Sequence, residues 1–354
     1  MKSYLFTAFL SMMLLSVPCL IAKESKQNTA DYYFSEKGEV YFSFLISSPD
    51  ELKILTRIIS LDNVKENMVY AYANREEFET FLKLNYAYAI LPHPGDLLAD
   101  SCLRPAGSGE GPLSLWNYYP TYQEYIGFMN GFATNNPEIC KLVSIGYSIQ
   151  GRELLAVKIS DQVNLNEAEP EFFYTSSIHG DETTGYVTML HLIDYLLTNY
   201  GSDPRITNIV NTTEIFINPL ANPDGTYWGG NNSVNGARRY NANNVDLNRN
   251  YPDPEDGPHP DGNSWQTETI AFMELADSNN FSMAANFHGG EEVFNYPWDT
   301  WAKLAADDTW WQFVGHEYVD TVHVYSPSTY FSGLIMVSPM DMPGIRSPVV
   351  VRII

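Results

Sequence analysis

The chain has 354 residues, 44% of them hydrophobic and 14% aromatic, which is enough for two domains with a buried core. Its formal net charge of -23 repels nucleic acid and anionic membrane surfaces at long range, so those partners are set aside and the charge is read as solubility.

In chain order, Lys2, the apolar run Tyr4 to Leu15 and the small residue Ala22 predict an export signal over 1–22. The run is too short for a stable membrane span. Proline directly before Cys19 argues against lipid attachment. The expectation is a soluble protein that is secreted or periplasmic. Removing the signal leaves Cys102 and Cys140, read here as an idle linker residue and a buried core residue rather than a disulfide.

Residues 39–93 predict a small α+β domain. Val40 to Ile46 is rich in β-formers, Pro49 opens a helix over Asp50 to Ser60, and Met68 to Ala73 is a second strand. Arg75 to Leu84 is a helix with Phe78, Phe81 and Leu82 inward, and Tyr86 to Leu91 is a third strand. Between 94 and 114 glycine and proline cluster, which marks a linker open to proteolysis. From 115 onward helix and strand alternate. Tyr122 to Asn135 and Thr183 to Tyr200 read as helices. Leu154 to Ile159, Glu171 to Ser177, Glu214 to Ile217 and Ser282 to Phe287 read as strands. Such alternation predicts an α/β fold with a central sheet flanked by helices.

Three segments carry chemistry: Ser177 to Glu182, Arg239 to Asn250, and Asn286 to Gly290. His179 and His288 each end a predicted strand, where sites form in open α/β sheets. Glu182 lies three residues after His179, close enough to aim at one ion. Two imidazoles and a carboxylate leave a fourth position for water, the pattern of a catalytic rather than a structural zinc. His93, His191, His259, His316 and His323 are read as structural. His316-Glu317 is not completed by a second histidine at 320, so the H-E-x-x-H signature fails.

The motifs H-G-D-E at 179–182, N-P-D-G at 222–225, R-Y-N-A-N-N-V-D-L-N-R-N at 239–250 and H-G-G-E-E-V-F-N-Y-P-W-D at 288–299 occur in family order. Gly146-Tyr147-Ser148 and Gly151-Arg152-Glu153-Leu154 precede them. With these residues the chain resembles the zinc metallocarboxypeptidases, particularly the branch related to carboxypeptidases N, E and D. The resemblance runs from about 115 to 332 and implies a mixed central sheet flanked by helices. The domain at 39–93 resembles a carboxypeptidase prodomain. The resemblance implies that His179, Glu182 and His288 bind one zinc ion and that Arg239 polarises the substrate carbonyl. It implies that Asn248 and Arg249 grip the terminal carboxylate, a role suited to the planar bidentate fork of arginine. Asp246 and Asn250 are expected to be loop scaffolding, as are Glu291 and Glu292. The implied reaction is hydrolysis of the C-terminal bond of peptides or proteins.

The family also uses a glutamate base and a tyrosine downstream of the third ligand, yet residues 333–354 contain neither. A frameshift is the expected origin of this stretch. In the shifted frame Met336-Val337 and Met340-Asp341 are each forced to give glycine and Met342-Pro343 alanine. A permitted reading then runs W-Y-K-V-A-G-G-R-Q-D-Y, which resembles the family segment leading to its tyrosine. The expectation is a truncated domain, lacking its last central strand and inactive as given. The alternatives are a non-catalytic zinc or peptide binder, a remnant without function, and a related zinc amidase of cell-wall peptides.

Overall fold

The structure is a computed structural model that describes residues 29–97, 118–253, 256–289, 293–297, 304–325 and 350–352. The export signal, Cys102, most of the linker and Glu291 and Glu292 lie outside the described residues. Helix α1 spans 29–36. A four-stranded antiparallel sheet follows, ordered β2-β3-β1-β4 from β1 (Glu39–Leu45), β2 (Ser60–Lys65), β3 (Met68–Asn74) and β4 (Tyr88–Ile90). Helices α2 (Leu52–Leu55) and α3 (Arg75–Leu82) complete this unit. Asn74 starts α3 by accepting from Glu77 N–H, while the Glu77 carboxylate accepts from Asn74 N–H, a reciprocal cap at the end of β3. Phe42, Phe44, Phe78 and Phe81 meet in the core, with the Phe42 and Phe81 rings 4.8 Å apart.

Two expectations for this domain are corrected. The helix predicted over 50–60 breaks after Leu55, because Ser60 joins β2, whose register slips between Leu61 and Asn63 at a bulge. The predicted linker begins with a short helix, α4 (Pro94–Leu97), whose Gly95 packs against Ala237.

The second sheet has seven strands in the order β10-β11-β9-β7-β8-β6-β5. Its elements are α5 (Tyr122–Asn135), β5 (Cys140–Tyr147), β6 (Glu153–Ile159), β7 (Glu171–Ser176), α6 (Thr184–Asn199), α7 (Pro204–Val210), β8 (Glu214–Asn218), α8 (Pro223–Thr226), α9 (Thr267–Asp277), β9 (Phe281–His288), β10 (Val293–Asn295), α10 (Asp308–Tyr325) and β11 (Val350–Arg352). Strands β8, β7, β9 and β11 run parallel, and β6, β5 and β10 pair antiparallel, so the sheet is mixed as expected.

Alternation across the sheet separates two cores. Leu155, Val157 and Ile159 face α5 and α6 with Met129, Phe132, Tyr186 and Leu190, while Leu154 and Phe173 face α9 with Phe272 and Leu275. Cys140 is buried and free, as read from the sequence. Among the described residues the place beside β9 is filled, because Val350–Arg352 pairs parallel to Asn286, Phe287 and His288. The expected gap at a lost central strand is therefore corrected at that edge. The central strands β7 and β9 end together, Thr175 opposite Asn286 and Ser176 opposite Phe287, which brings the loops after both to one rim.

Candidate metal and carboxylate site

At the end of β7, Ser177 takes a left-handed backbone (φ 56°), uncommon for a residue with a side chain. The turn is held: Asn222 N–H donates to Ser177 O at 3.0 Å and Ser177 Oγ donates to Glu182 O at 3.0 Å. The chain thereby turns out of the sheet and presents His179 and Glu182 together. His288 arrives independently as the last residue of β9.

The three groups converge. His179 Nδ1 and His288 Nδ1 lie 2.8 Å from Glu182 Oε1 and Oε2 respectively, and 3.1 Å from each other. Both histidines are buried, at 0% and 1% exposure. His179 Nε2–H donates to Asp246 Oδ1 at 3.2 Å, so the neutral ring carries its lone pair on Nδ1. Asn286 Nδ2 lies 3.2 Å from His288 Nε2 on the far side of that ring. Two imidazole nitrogens thus converge on each other and on a carboxylate. Such a donor set repels itself unless a cation or added protons lie between, so these residues fit a zinc ion. Burial alone would raise Glu182, but the charges and hydrogen bonds of His179 and His288 hold it well below the carboxylate range.

Asp246 was expected to be loop scaffolding, and its scaffolding reaches beyond its own loop. Oδ1 accepts from His179 Nε2 and, at 2.9 Å, from Asn248 N–H. Oδ2 accepts from Arg239 Nε at 3.2 Å and from Ser60 Oγ in a short hydrogen bond. One carboxylate thus orients His179, Arg239 and the turn Leu247–Arg249. Burial would raise its pKa, but Arg239 and His179 hold it well below the usual value. Asp246 is the one acid of the 239–250 loop, but only the fold shows that it turns to His179.

Arg239 is 1% exposed, with Nη1 3.6 Å from Glu182 Oε1. Asn248 is fully buried, and neither its Oδ1 nor its Nδ2 has a partner; Arg239 Nη2 has none either. Buried polar atoms without partners are rare and costly. The unpartnered N–H groups of Asn248 and Arg239 fit an incoming carboxylate or carbonyl. Arg249, also buried, donates Nη1–H to Asn248 O at 3.3 Å and extends the same turn.

The remaining motifs fasten these loops. Asn222 Nδ2 donates to Ile178 O and to Arg239 O, each at 3.2 Å, which ties the loop at 179 to the loop at 239. Asp224 accepts from Ser148 Oγ, Gln150 N–H and Arg152 Nη1. Asn250 Oδ1 accepts from Gln266 N–H and Thr269 Oγ1. Gly180 passes so close to its neighbours that a Cβ there would lie 2.4 Å from Gly225 C and from Thr226 N. His93 is buried at the seam with the small domain, where its Nε2–H donates to Glu39 at 2.8 Å, so its structural reading stands. His191 and His316 lie within α6 and α10, away from the cluster.

A family model described as zinc carboxypeptidase matches residues 125–339. Carboxypeptidase D of Rattus norvegicus is 43% identical over 176 residues, which is 49% of this chain and 12% of that protein. Carboxypeptidase M of Mus musculus is 37% identical over 209 residues, 54% of this chain and 45% of that protein. The chain therefore spans less than half the length of these relatives. Among solved structures, carboxypeptidase A from Helicoverpa armigera covers 90% of this chain with 88% of its own, at 18% identity and a TM-score of 0.64. Thrombin activatable fibrinolysis inhibitor covers 89% with 90% of its own, at 16% identity and a TM-score of 0.61. Likeness of that extent runs across both sheets and establishes a common fold.

Proposed function

The chain belongs to the zinc carboxypeptidase family, and from that premise we propose that its site binds one zinc ion and the free C-terminus of a peptide or protein. The observation that carries this reading is the Asp246 carboxylate, which fixes His179, Arg239 and Asn248 in one frame. A zinc ion held by His179, Glu182 and His288 would acidify a water and polarise a carbonyl. Arg239 presents Nη2, a buried donor without a partner, to the carbonyl oxygen where negative charge grows. Asn248 and Arg249 hold the terminal carboxylate and so select the last peptide bond. Burial would lower the Arg239 pKa, but Asp246 and Glu182 raise it further, so the guanidinium stays charged throughout.

Residues 333–354 hold no glutamate and no tyrosine. General-base assistance is typically worth about 10²–10⁴-fold. We therefore read the chain as competent to bind and without measurable turnover, its 333–354 stretch arising by frameshift. Asn248 and Arg249 favour a free carboxylate over the substrate of a cell-wall amidase. Lys2 and the apolar run after it favour export, and among the described residues no helix is long and apolar enough to cross a membrane. The test is metal analysis together with turnover of a blocked dipeptide by this chain and by a frame-restored one. Zinc in both and turnover in the second alone is expected. Robust turnover by the 354-residue chain would refute inactivity, and absence of zinc from both would refute the family chemistry here.

A further inference from the structure

A cavity of about 170 Å³ lies between the large sheet and α9. Alternation puts Phe173 of β7 and Ala284 of β9 on the face toward Phe272 of α9, and turns Ala285 and Phe287 to the opposite core. The space exists because Ala221, Ala276 and Ala284 line it from a loop, a helix and a strand, and their methyl groups do not meet across it. Phe173 and Phe281 wall it with stacked rings 5.2 Å apart, and Ile178 and Phe272 are buried beside them. Ala276 is exposed, so the cavity opens on the α9 side. None of His179, Glu182, His288, Arg239, Asn248 and Arg249 lines it. Asn286 supplies its polar group and is 6% exposed. The Asn286 Nδ2 is taken up by His288 Nε2, but its Oδ1 is buried and has no partner. Thr175, opposite Asn286 in the ladder, donates its hydroxyl proton to Asn218 Oδ1 at 2.9 Å and has none left for Asn286. A buried acceptor left unmet in this way is rare.

We propose that this cavity is a second binding site, separate from the metal and carboxylate groups, and that it takes a small phenol. An apolar cavity of about 150 Å³ admits a benzene-sized guest, and this one has room for about one heavy atom more. The ring packs against Phe173, Phe272 and Phe281, and the hydroxyl donates to Asn286 Oδ1. A water molecule would meet the acceptor yet leave the aromatic wall without contacts. A carboxylate brings only acceptors to Oδ1, and an ammonium group buries a charge with no counter-charge on the wall.

The experiment is titration calorimetry on the full chain with phenol and with toluene, which matches it in size and carries no donor. Phenol should bind with a dissociation constant on the order of 0.1–1 mM, within the range open to so small a ligand. Asn286→Leu should weaken phenol by about 10-fold and spare toluene. Ala284→Leu, which grows into the space, should abolish binding of both. Saturating benzylsuccinate, a dicarboxylate that mimics a peptide C-terminus, should leave the affinity for phenol unchanged. No binding of phenol by the parent chain, or binding that survives Ala284→Leu, would overturn the proposal. So would phenol and toluene responding alike to Asn286→Leu, because the hydroxyl would then have no part in recognition. Competition by benzylsuccinate would also overturn it, by placing phenol in the carboxylate site. If Ala284→Leu does not fold, the contrast between the two guests in Asn286→Leu decides alone.

Discussion

The proposed metal ligands and the proposed carboxylate clamp are both largely buried, yet they treat their polar atoms in opposite ways. His179, Glu182 and His288 are near enough to bond one another, so that corner can adjust its protons and stay satisfied. The Asn248 amide has nothing to turn to, and both of its ends stay unmet. A metal site built from titrating groups tolerates the empty state. The Asn248 amide and the Arg239 guanidinium do not titrate in the physiological range, so no shift of protons satisfies Asn248 Oδ1, Asn248 Nδ2 or Arg239 Nη2.

Removing a ligand should give the largest effect. In His288→Ala, zinc should fall from about one per chain to background, because two donors do not hold a structural or catalytic zinc. Full zinc content in that variant, measured by elemental analysis after dialysis, would break the assignment of the cluster.

Asp246→Asn comes next and touches both regions. An amide still accepts from one side, but His179 loses its carboxylate partner and Arg239 its counter-charge. Zinc affinity should drop by about 10–100-fold, the usual cost of removing an outer partner of a ligating histidine. The same substitution should weaken benzylsuccinate, whereas a change confined to zinc would mean that the bridge to Arg239 does nothing.

Asn248→Ala should separate the regions. Zinc content should be unchanged and benzylsuccinate binding should weaken by about 10-fold. Thermal stability should hold or rise slightly, because two buried unmet atoms are removed. A fall of several degrees would show that the amide has a structural partner in solution.

The smallest effect concerns pH and the seam. Burial pushes the Glu77 carboxyl up to about 7, against the opposing hydrogen bonds of Asn74 N–H and Tyr240 O–H. Its folded pKa is raised above the unfolded one, so the fold favours the protonated acid. This favourable contribution is full below about pH 4.5 and is lost as pH rises through 7. Glu77→Gln keeps the helix cap and should flatten the difference in melting temperature between pH 5 and pH 8. An identical pH dependence in both proteins would assign that difference to other groups.

The convergence of His179, Glu182 and His288 was legible because they sit in short motifs at strand ends, where both the spacing and the place in the sheet are set locally. The central strands were legible for a similar reason, since Glu171 to Ser176 forms a near-continuous β-forming run that is buried or half-buried throughout. Strand β5 was missed because it is an edge strand, half-buried, with its register broken between Ser144 and Gly146, so no clean alternation reaches the sequence. β2 was hidden in the same way by its bulge. Asp246 and the residues of the seam were invisible for another reason. Ser60 meets Asp246 across 186 positions, and Glu39 meets Arg239 across 200. No local pattern encodes partners that far apart, and the polar side chains concerned look like ordinary surface residues until the two sheets are placed together.

The close approach at Gly180 bears on how any mutational map of this chain is interpreted. With Gly225 C and Thr226 N only 2.4 Å from where a methyl group would sit, the metal loop and the turn at 222–225 are moving parts cut to one clearance. Gly180→Ala would erase no ligand atom, yet it would force the two loops apart and score as severely as loss of a histidine. A scan that ranks positions by damage alone would place this glycine among the metal-binding residues. Pairing each loss with a zinc titration of the surviving folded fraction would distinguish a missing donor from a jammed joint.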